Sequence, residues 1–309
     1  MTGRPRRLMP GSRIGVVAPS SPIRDGKLEA GVSALEHLGF KVELAPHVYD
    51  RWGYLAGLDR GRAADLTEMF GRGDIDGIIC ARGGYGAARM VEMVDWRVVR
   101  EHPKVFIGYS DITILHLAAE RFASLPTFHG PMVTTFADPM QDACLQSFMS
   151  QITTAEPPGE VGDPDRQART LVHGQAKGRL AGGCMTLLCS ALGTPYQPDF
   201  RGRIVVLEDT DEALYRVDRM LTQLLASGVM RQASGFVIGT VSNLTPSPDA
   251  SAISLDDLWR SLLAPLGKPA IVGYPIGNVD SPLTLPLGRM AELDADRCTL
   301  TVTEACVTD

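Results

Sequence analysis

The sequence lacks several features that assign a chain to a class of protein. Its 309 residues include six cysteines but no C-x-x-C pair, so neither a zinc site nor a disulfide framework is indicated. No apolar run approaches the roughly 20 residues that span a bilayer. The net charge of −6 gives no sign of a nucleic-acid-binding surface. We therefore expect neither a membrane nor a nucleic acid as a partner.

The amino-terminal segment also lacks a secretory signal. The basic residues 4–7 are followed by Pro10 and Gly11 instead of an apolar stretch of about 7–15 residues. Several cysteines lie inside apolar runs, as is typical of small buried thiols in a reducing compartment. The composition, with 44% hydrophobic and 21% charged residues, is that of an ordinary globular protein. These patterns predict a cytoplasmic protein.

The first half of the chain alternates short apolar strands with helices. Strands are predicted at residues 13–19, 41–44, 77–82, 105–107 and 125–129, and helices at 27–38, 63–70, 87–94 and 112–122. Continuously apolar strands separated by helices predict a parallel sheet that is covered on both faces. We therefore predict an α/β fold with a three-layer amino-terminal domain at residues 1–137. Sites in such sheets gather at the carboxyl ends of the strands.

The second half follows a different pattern. Residues 138–177 are rich in Pro, Gly, Asp and Gln, and we interpret them as a connector between domains. Residues 178–309 then mix predicted strands, an amphipathic helix near 212–230, and an alternating segment at 289–304 that is typical of an antiparallel strand pair. We predict a smaller α+β domain in this part of the chain.

The strongest local signal is Ser110, which lies between an apolar strand and a helical pattern. A serine on such a turn projects from the sheet at a helix N-terminus, where backbone N–H groups favour a developing negative charge. This is the geometry of a nucleophile elbow, although Ile112 stands where the G-x-S-x-G motif has its second glycine. A plain helix N-cap is the alternative interpretation.

Three further features follow predicted strands. The turn from Gly83 to Gly86 fails as a dinucleotide motif, but its glycines could let the backbone approach a ligand closely; a simple tight turn is the alternative. Glu208 and Asp209 end an apolar strand, where a carboxylate could orient a catalytic base. Asp209 or Asp211 could also cap the helix that begins near Glu212, and the two interpretations are compatible. His129 is the best placed of the six histidines for function.

Taken in order, several motifs resemble one known family. They are ARGGYG (81–86), GYSDIT (108–113), HGP (129–131), GRLAGG (178–183), LE (207–208) and YRVDRML (215–221). As a set they are similar to the LD-carboxypeptidases, serine peptidases of the microcin C7 immunity protein superfamily (peptidase family S66). The resemblance implies a homodimeric cytoplasmic hydrolase that releases terminal D-alanine from murein tetrapeptides during peptidoglycan recycling, with no metal or organic cofactor.

The resemblance also implies roles for individual residues. Ser110 would be the nucleophile of a Ser-Glu-His triad, and Glu208 would orient the base. The backbone N–H groups of Gly84 and Asp111 would form the oxyanion hole, which is worth several kcal/mol in other acyl transfers. Substrate contacts would come from three more residues of the motifs, Gly83, Tyr85 and His129.

The chain departs from the family at the triad histidine, where it has Asn278. A side-chain amide cannot take up the serine proton near neutral pH. Three explanations stay open: an engineered substitution, a natural loss that leaves a binding protein, or another base such as His129. We expect an impaired serine carboxypeptidase. The alternatives are a non-catalytic muropeptide-binding protein and a hydrolase of the microcin C7 immunity type.

Overall fold

The computed structural model describes residues 3–24, 26–162, 165, 167–245 and 253–309. Its strands within these ranges are β1 (Arg13–Val17), β2 (Lys41–Leu44), β3 (Gly77–Cys80), β4 (Val105–Gly108), β5 (Thr127–His129), β6 (Gly159–Glu160), β7 (Arg169–Val172), β8 (Gln175–Cys184), β9 (Ile204–Thr210), β10 (Gly235–Ser242), β11 (Ala270–Val272), β12 (Leu285–Leu287), β13 (Met290–Asp294) and β14 (Thr299–Val302).

Helices connect most of these strands. The α-helices are α1 (Lys27–His37), α2 (Asp59–Gly71), α3 (Ala87–Met90), α4 (Trp96–Glu101), α5 (Thr113–Ala118), α6 (Asp142–Thr153), α7 (Met185–Ser190), α8 (Leu214–Ala226) and α9 (Leu255–Leu258). Short 3₁₀ helices occur at Val91–Met93, Ser110–Ile112, Val133–Thr135, Met230–Gln232 and Ala264–Leu266, and π-helical turns at Ala119–Ala123 and Trp259–Leu263.

The first sheet has the strand order β12-β5-β4-β3-β1-β2 within the described residues. Its neighbours pair in parallel except β12, which runs antiparallel to β5. Every residue of β3 and β4 is buried, so both faces of the sheet are covered. The predicted parallel sheet is thereby confirmed.

The second sheet has the order β6-β14-β13-β8-β9-β10-β11-β7 in the described part of the chain. Strands β8 to β11 are parallel, and the remaining pairs are antiparallel. The antiparallel pair predicted at 289–304 is β13 and β14. A mixed sheet of this kind fits the predicted α+β character.

The segment predicted as a connector contributes to the fold. Residues 138–177 contain α6, β6, β7 and the first residues of β8, so three strands of the second sheet begin there. Conversely, β12 from the carboxyl-terminal half completes the first sheet. The domain limits at 137 and 178 stay a prediction. No helix in the described ranges is long and apolar enough to cross a membrane.

Helix α1 packs against the 3₁₀ helix Val133–Thr135 through a residue without a side chain. A Cβ placed on Gly31 would lie 1.9 Å from the carbonyl oxygen of Val133, far inside any contact distance. Two residues of this 3₁₀ helix, Thr134 and Thr135, line the cleft described below. The close approach of Gly31 therefore helps to set the position of one cleft wall.

We predict that Gly31→Ala destabilises the protein by about 1–3 kcal/mol, the usual cost of overpacking. Helix propensity alone predicts the opposite sign, a gain of roughly 1 kcal/mol in a helix interior. Gly73→Ala is the control, because its Cβ would meet no atom within 4 Å. Urea unfolding measures both variants; a gain in stability for Gly31→Ala would contradict the packing described here.

Candidate active site

Ser110 lies at the turn between β4 and the helix that follows it. It is the first residue of the 3₁₀ helix Ser110–Ile112, which continues directly into α5. Its φ of 64° lies in the left-handed region, which is unusual for a residue with a side chain. Neither helix has a side-chain cap, so the plain N-cap interpretation is wrong. Strained backbone of this kind concentrates at functional sites.

The glycine turn after β3 packs directly against Ser110. A Cβ on Gly83 would lie 3.1 Å from the Cβ and 3.2 Å from the Oγ of Ser110. Gly84 has a φ of 119°, and a Cβ there would lie 2.3 Å from the Oγ of Ser21. No side chain fits at Gly84, and its backbone N–H has no acceptor among the described residues. That N–H group is free to bind a ligand beside the serine.

Asp111 fixes this arrangement through its side chain, a role the sequence analysis missed. Its buried carboxylate accepts hydrogen bonds from Ser20 Oγ (2.6 Å) and from the backbone N–H of Ala87 (2.8 Å). Burial raises the pKa of Asp111, and these two hydrogen bonds oppose the rise. The carboxylate therefore joins the turns that follow β1, β3 and β4.

Glu208 is buried near the end of β9, beside His129 at the end of β5. Its Oε1 lies 3.6 Å from His129 Nε2, and both side chains are at most 1% exposed. Neither that oxygen nor the ring nitrogens of His129 have a hydrogen-bond partner among the described residues. Tyr109 completes the cluster, with its ring 6.0 Å from that of His129. Burial raises the pKa of Tyr109, and the nearby Glu208 charge raises it further.

The loop after β11 brings Asn278 to the same region. A Cβ on Gly277 would lie 2.4 Å from Glu208 Oε2, so the loop packs directly on that carboxylate. The exposed Asn278 donates from Nδ2 to Thr210 Oγ1 (3.0 Å) and to Ser242 Oγ (3.4 Å). Among the described residues Asn278 makes no hydrogen bond to Glu208. Its amide is held by two hydroxyl groups instead.

A cleft of about 1120 Å³ brings several of these groups together. Ser110, Gly83 and Gly84 line it together with Asn278. The fully buried His129 is not among its lining residues, so its predicted contact with substrate is not supported by its position. Tyr85 is also absent from the lining; it is exposed and packs edge-on against Tyr54, with 5.7 Å between ring centroids.

Asp209 lines the cleft but does not cap the following helix. Its carboxylate accepts from the backbone N–H and the Oγ1 of Thr186 (2.9 and 3.0 Å) and from the N–H of Thr210 (2.9 Å). Helix α8 begins after Ala213 without a side-chain cap, so the capping interpretation is wrong. Burial raises the pKa of Asp209 to about 6 against the effect of these hydrogen bonds.

No group of three or more His, Cys, Asp or Glu residues in the described ranges could hold a metal ion. None of the six cysteines forms a disulfide. The polar groups of the cleft are hydroxyl, amide, carboxylate, guanidinium, ammonium and thiol groups together with backbone N–H groups. A hydroxyl beside free N–H groups suits attack on a carbonyl carbon.

Comparison with known proteins identifies relatives over most of the chain. Family profiles described as LD-carboxypeptidase N-terminal domain and LD-carboxypeptidase C-terminal domain match residues 14–130 and 177–293. A probable murein peptide carboxypeptidase of Bacillus subtilis (strain 168) is 36% identical over 298 residues, covering 94% of this chain and 91% of that protein. The murein tetrapeptide carboxypeptidase of Pseudomonas aeruginosa is 32% identical, covering 92% and 94%.

A solved structure shows the same architecture. The crystal structure of muramoyltetrapeptide carboxypeptidase from Oxalobacter formigenes superposes with a TM-score of 0.83 at 26% identity. The match covers 96% of this chain and all of that chain. The two-sheet arrangement described above is therefore shared with a solved protein over nearly its full length.

We predict that Ser110→Gly is more stable than Ser110→Ala by about 1 kcal/mol. Both variants lose the hydroxyl, but only glycine relieves the positive φ. Ser190 in α7 is the control, since its φ is not positive and alanine should there be the more stable replacement by a similar amount. Urea unfolding of the four variants measures both differences. Equal stability of the two Ser110 variants would show that the turn is not strained.

We predict that Asp209 makes stability fall as the pH rises. The folded pKa of about 6 exceeds the unfolded value of about 3.9, so the folded chain binds this proton more tightly. The gain from protonation is complete below about pH 4 and is lost as the pH rises through about 6. Between pH 4.5 and 7.5, wild type should lose on the order of 2 kcal/mol relative to Asp209→Asn. Parallel unfolding curves across this range would contradict the prediction.

Proposed function

Because the chain belongs to the LD-carboxypeptidase family, we propose that it binds murein tetrapeptides and cleaves their terminal D-alanine with Ser110. The observation that carries the proposal is the position of this serine. It lies at a positive φ on a strand-to-helix turn, lines a large cleft, and contacts a glycine turn with a free N–H group. Release of D-alanine from these tetrapeptides would serve peptidoglycan recycling.

In this proposal the Oγ of Ser110 attacks the carbonyl carbon that precedes D-alanine. The carbonyl oxygen becomes an oxyanion, which the N–H groups of Gly84 and Asp111 stabilise. Collapse of this intermediate breaks the C–N bond and leaves an ester on the serine, while D-alanine departs with the serine proton on its amine. Water then attacks the ester, releasing the shortened peptide and restoring the hydroxyl. A base must accept the proton of Ser110 and later that of the water.

Asn278 stands where that base is expected, and an amide has no basic lone pair for the task. We propose that the chain retains substrate binding and the oxyanion donors but turns over slowly. The support is the packing of the loop that carries Asn278, the residue at the position expected for the base. Gly277 still packs on Glu208, and the Asn278 amide is held at the cleft by Thr210 and Ser242.

His129 is the other base that the sequence offers, and its surroundings argue against that role. Its ring is fully buried beside Glu208 and is absent from the cleft lining that includes Ser110. A base has to reach its proton within about 3 Å or through one water. We propose instead that His129 helps to hold the buried Glu208 in position.

A non-catalytic muropeptide-binding protein is the second candidate, and Asn278 is the observation that favours it. In that case the cleft would bind the tetrapeptide, and no variant of position 278 alone would restore turnover. The two candidates therefore differ in the response to a restored histidine.

The proposal also covers the cellular compartment and the oligomeric state of the protein. We propose a homodimer in the cytoplasm, where the six cysteines, none of which forms a disulfide, would stay reduced. The family resemblance supports the dimer, and light scattering of the purified protein measures the mass directly. A single 33.3 kDa species at all concentrations would contradict it.

We predict that Asn278→His raises the rate of D-alanine release by several orders of magnitude, because triad members act as a unit. Ser110→Ala in that background should abolish the gain. Asn243→His is the matched control, since Asn243 lines the same cleft and receives the same substitution. The assay measures D-alanine released from an L,D-linked tetrapeptide.

The contradicting outcome is an unmodified chain that works as fast as Asn278→His. The base would then lie elsewhere, and His129→Ala would be the next variant to assay. If Asn278→His stays inactive while the tetrapeptide still binds, the binding-protein candidate replaces the hydrolase.

A further inference from the structure

Most basic and acidic side chains that line the cleft come from different halves of the chain. The basic side chains come from the first half of the chain, at Arg24, Lys27 and Arg82. The acidic side chains that come from the second half are Asp209, Asp211, Glu212 and Asp280. One further acid, Asp138, pairs with Lys27 at 2.6 Å. A substrate that carries both signs of charge would therefore bind in one orientation.

Within the part of the chain that the structure describes, two of the basic groups have no acidic partner. Among the described residues no carboxylate lies within ion-pair distance of Arg24 or Arg82. Burial lowers the pKa of the partly buried Arg82, and the neighbouring charge of Arg24 lowers it further. The Nη1 of Arg82 donates to the carbonyl oxygen of Pro22 (3.1 Å), which leaves its other N–H groups available. Two neighbouring guanidinium groups without a counter-ion suit an anionic ligand.

Arg82 also adjoins a residue that packs against the serine. It directly precedes Gly83, whose Cβ position is 3.2 Å from Ser110 Oγ. In a peptide, three bonds separate the carbonyl carbon under attack from the terminal carboxylate carbon, a reach of about 3.8 Å or less. Because Arg82 and Ser110 line the same cleft, the arginine side chain can contact that carboxylate while the serine contacts the carbonyl.

Resting on the proposed function, we propose that Arg24 and Arg82 form the subsite for the terminal carboxylate of the substrate. This subsite makes the enzyme a carboxypeptidase, because a peptide that continues past D-alanine has no carboxylate to present there. The acidic side chains that the second half of the chain contributes to the cleft repel the same carboxylate and favour an ammonium group on the acyl side of the bond.

The test compares a carboxylate with an amide on the same peptide. We would measure binding to Ser110→Ala, which prevents turnover, by calorimetry with an L,D-linked tetrapeptide and with its C-terminal amide. The amide should bind about ten- to a hundredfold more weakly, the value of a charged hydrogen-bonded pair. Arg24→Gln and Arg82→Gln should each weaken binding of the acid about tenfold or more and leave binding of the amide nearly unchanged.

Lys27→Gln is the matched control, because it removes the same charge from the same cleft but from a cation already paired with Asp138. Its ratio of acid to amide affinity should change less than about twofold. Arg24 is exposed, so its variant keeps the test valid if Arg82→Gln fails to fold. N-acetyl-D-alanine and its amide serve as a second pair of probes that do not depend on the rest of the peptide.

The results of these experiments distinguish failure of the arginine subsite from failure of the proposed hydrolase activity. Equal affinity for acid and amide in the Ser110→Ala protein overturns the subsite, even if the Asn278→His variant releases D-alanine. If no variant releases D-alanine but N-acetyl-D-alanine binds in a manner that needs Arg24 and Arg82, the subsite stands and the proposed hydrolase fails. An acid preference that survives loss of both arginines also overturns the assignment.

Discussion

The buried carboxylate of Asp111 is the interaction on which the geometry of the cleft depends. It accepts hydrogen bonds from Ser20 in the turn after β1 and from Ala87 at the start of α3, and it follows Ser110 in the chain. Burying a carboxylate without hydrogen-bond partners costs free energy, so the fold depends on these two bonds. They hold the glycine turn against the serine at a positive φ. This frame keeps the Gly84 N–H, which has no acceptor among the described residues, beside the serine.

The second half of the chain supplies the groups that would complete a triad, and its frame is equally intact. Glu208 is enclosed by His129 and Gly277, while Asn278 is bonded to hydroxyl groups of two neighbouring strands. Replacing histidine by asparagine at such a position removes the base without requiring a different backbone. In the proposed function, the cleft therefore keeps its shape and its charged lining while the chemistry is slowed.

Much of this arrangement could be predicted from the sequence, because apolar strands and helical periodicity are local signals. The elements near 13–17, 41–44, 77–80 and 105–108 follow directly from such runs. What could not be predicted depends on contacts between distant residues. Three such features join segments more than 20 residues apart. They are the hydrogen bonds of the Asp111 carboxylate, the buried pair of Glu208 and His129, and the hydroxyl partners of Asn278. The pairing of β12 with β5 is likewise non-local, since it places a carboxyl-terminal strand in the first sheet.

In the proposed complex, Ser110 and the two arginines hold one substrate across the cleft, with only the base missing. A crystal structure of the unmodified chain soaked with an L,D-linked tetrapeptide tests it most directly. We predict an intact peptide whose carbonyl carbon before D-alanine lies about 3–3.5 Å from Ser110 Oγ. Its carbonyl oxygen should face the N–H of Gly84, and its carboxylate should face Arg24 and Arg82. A peptide bound with its carboxylate directed away from these arginines, or with no carbonyl near Ser110, would contradict the account.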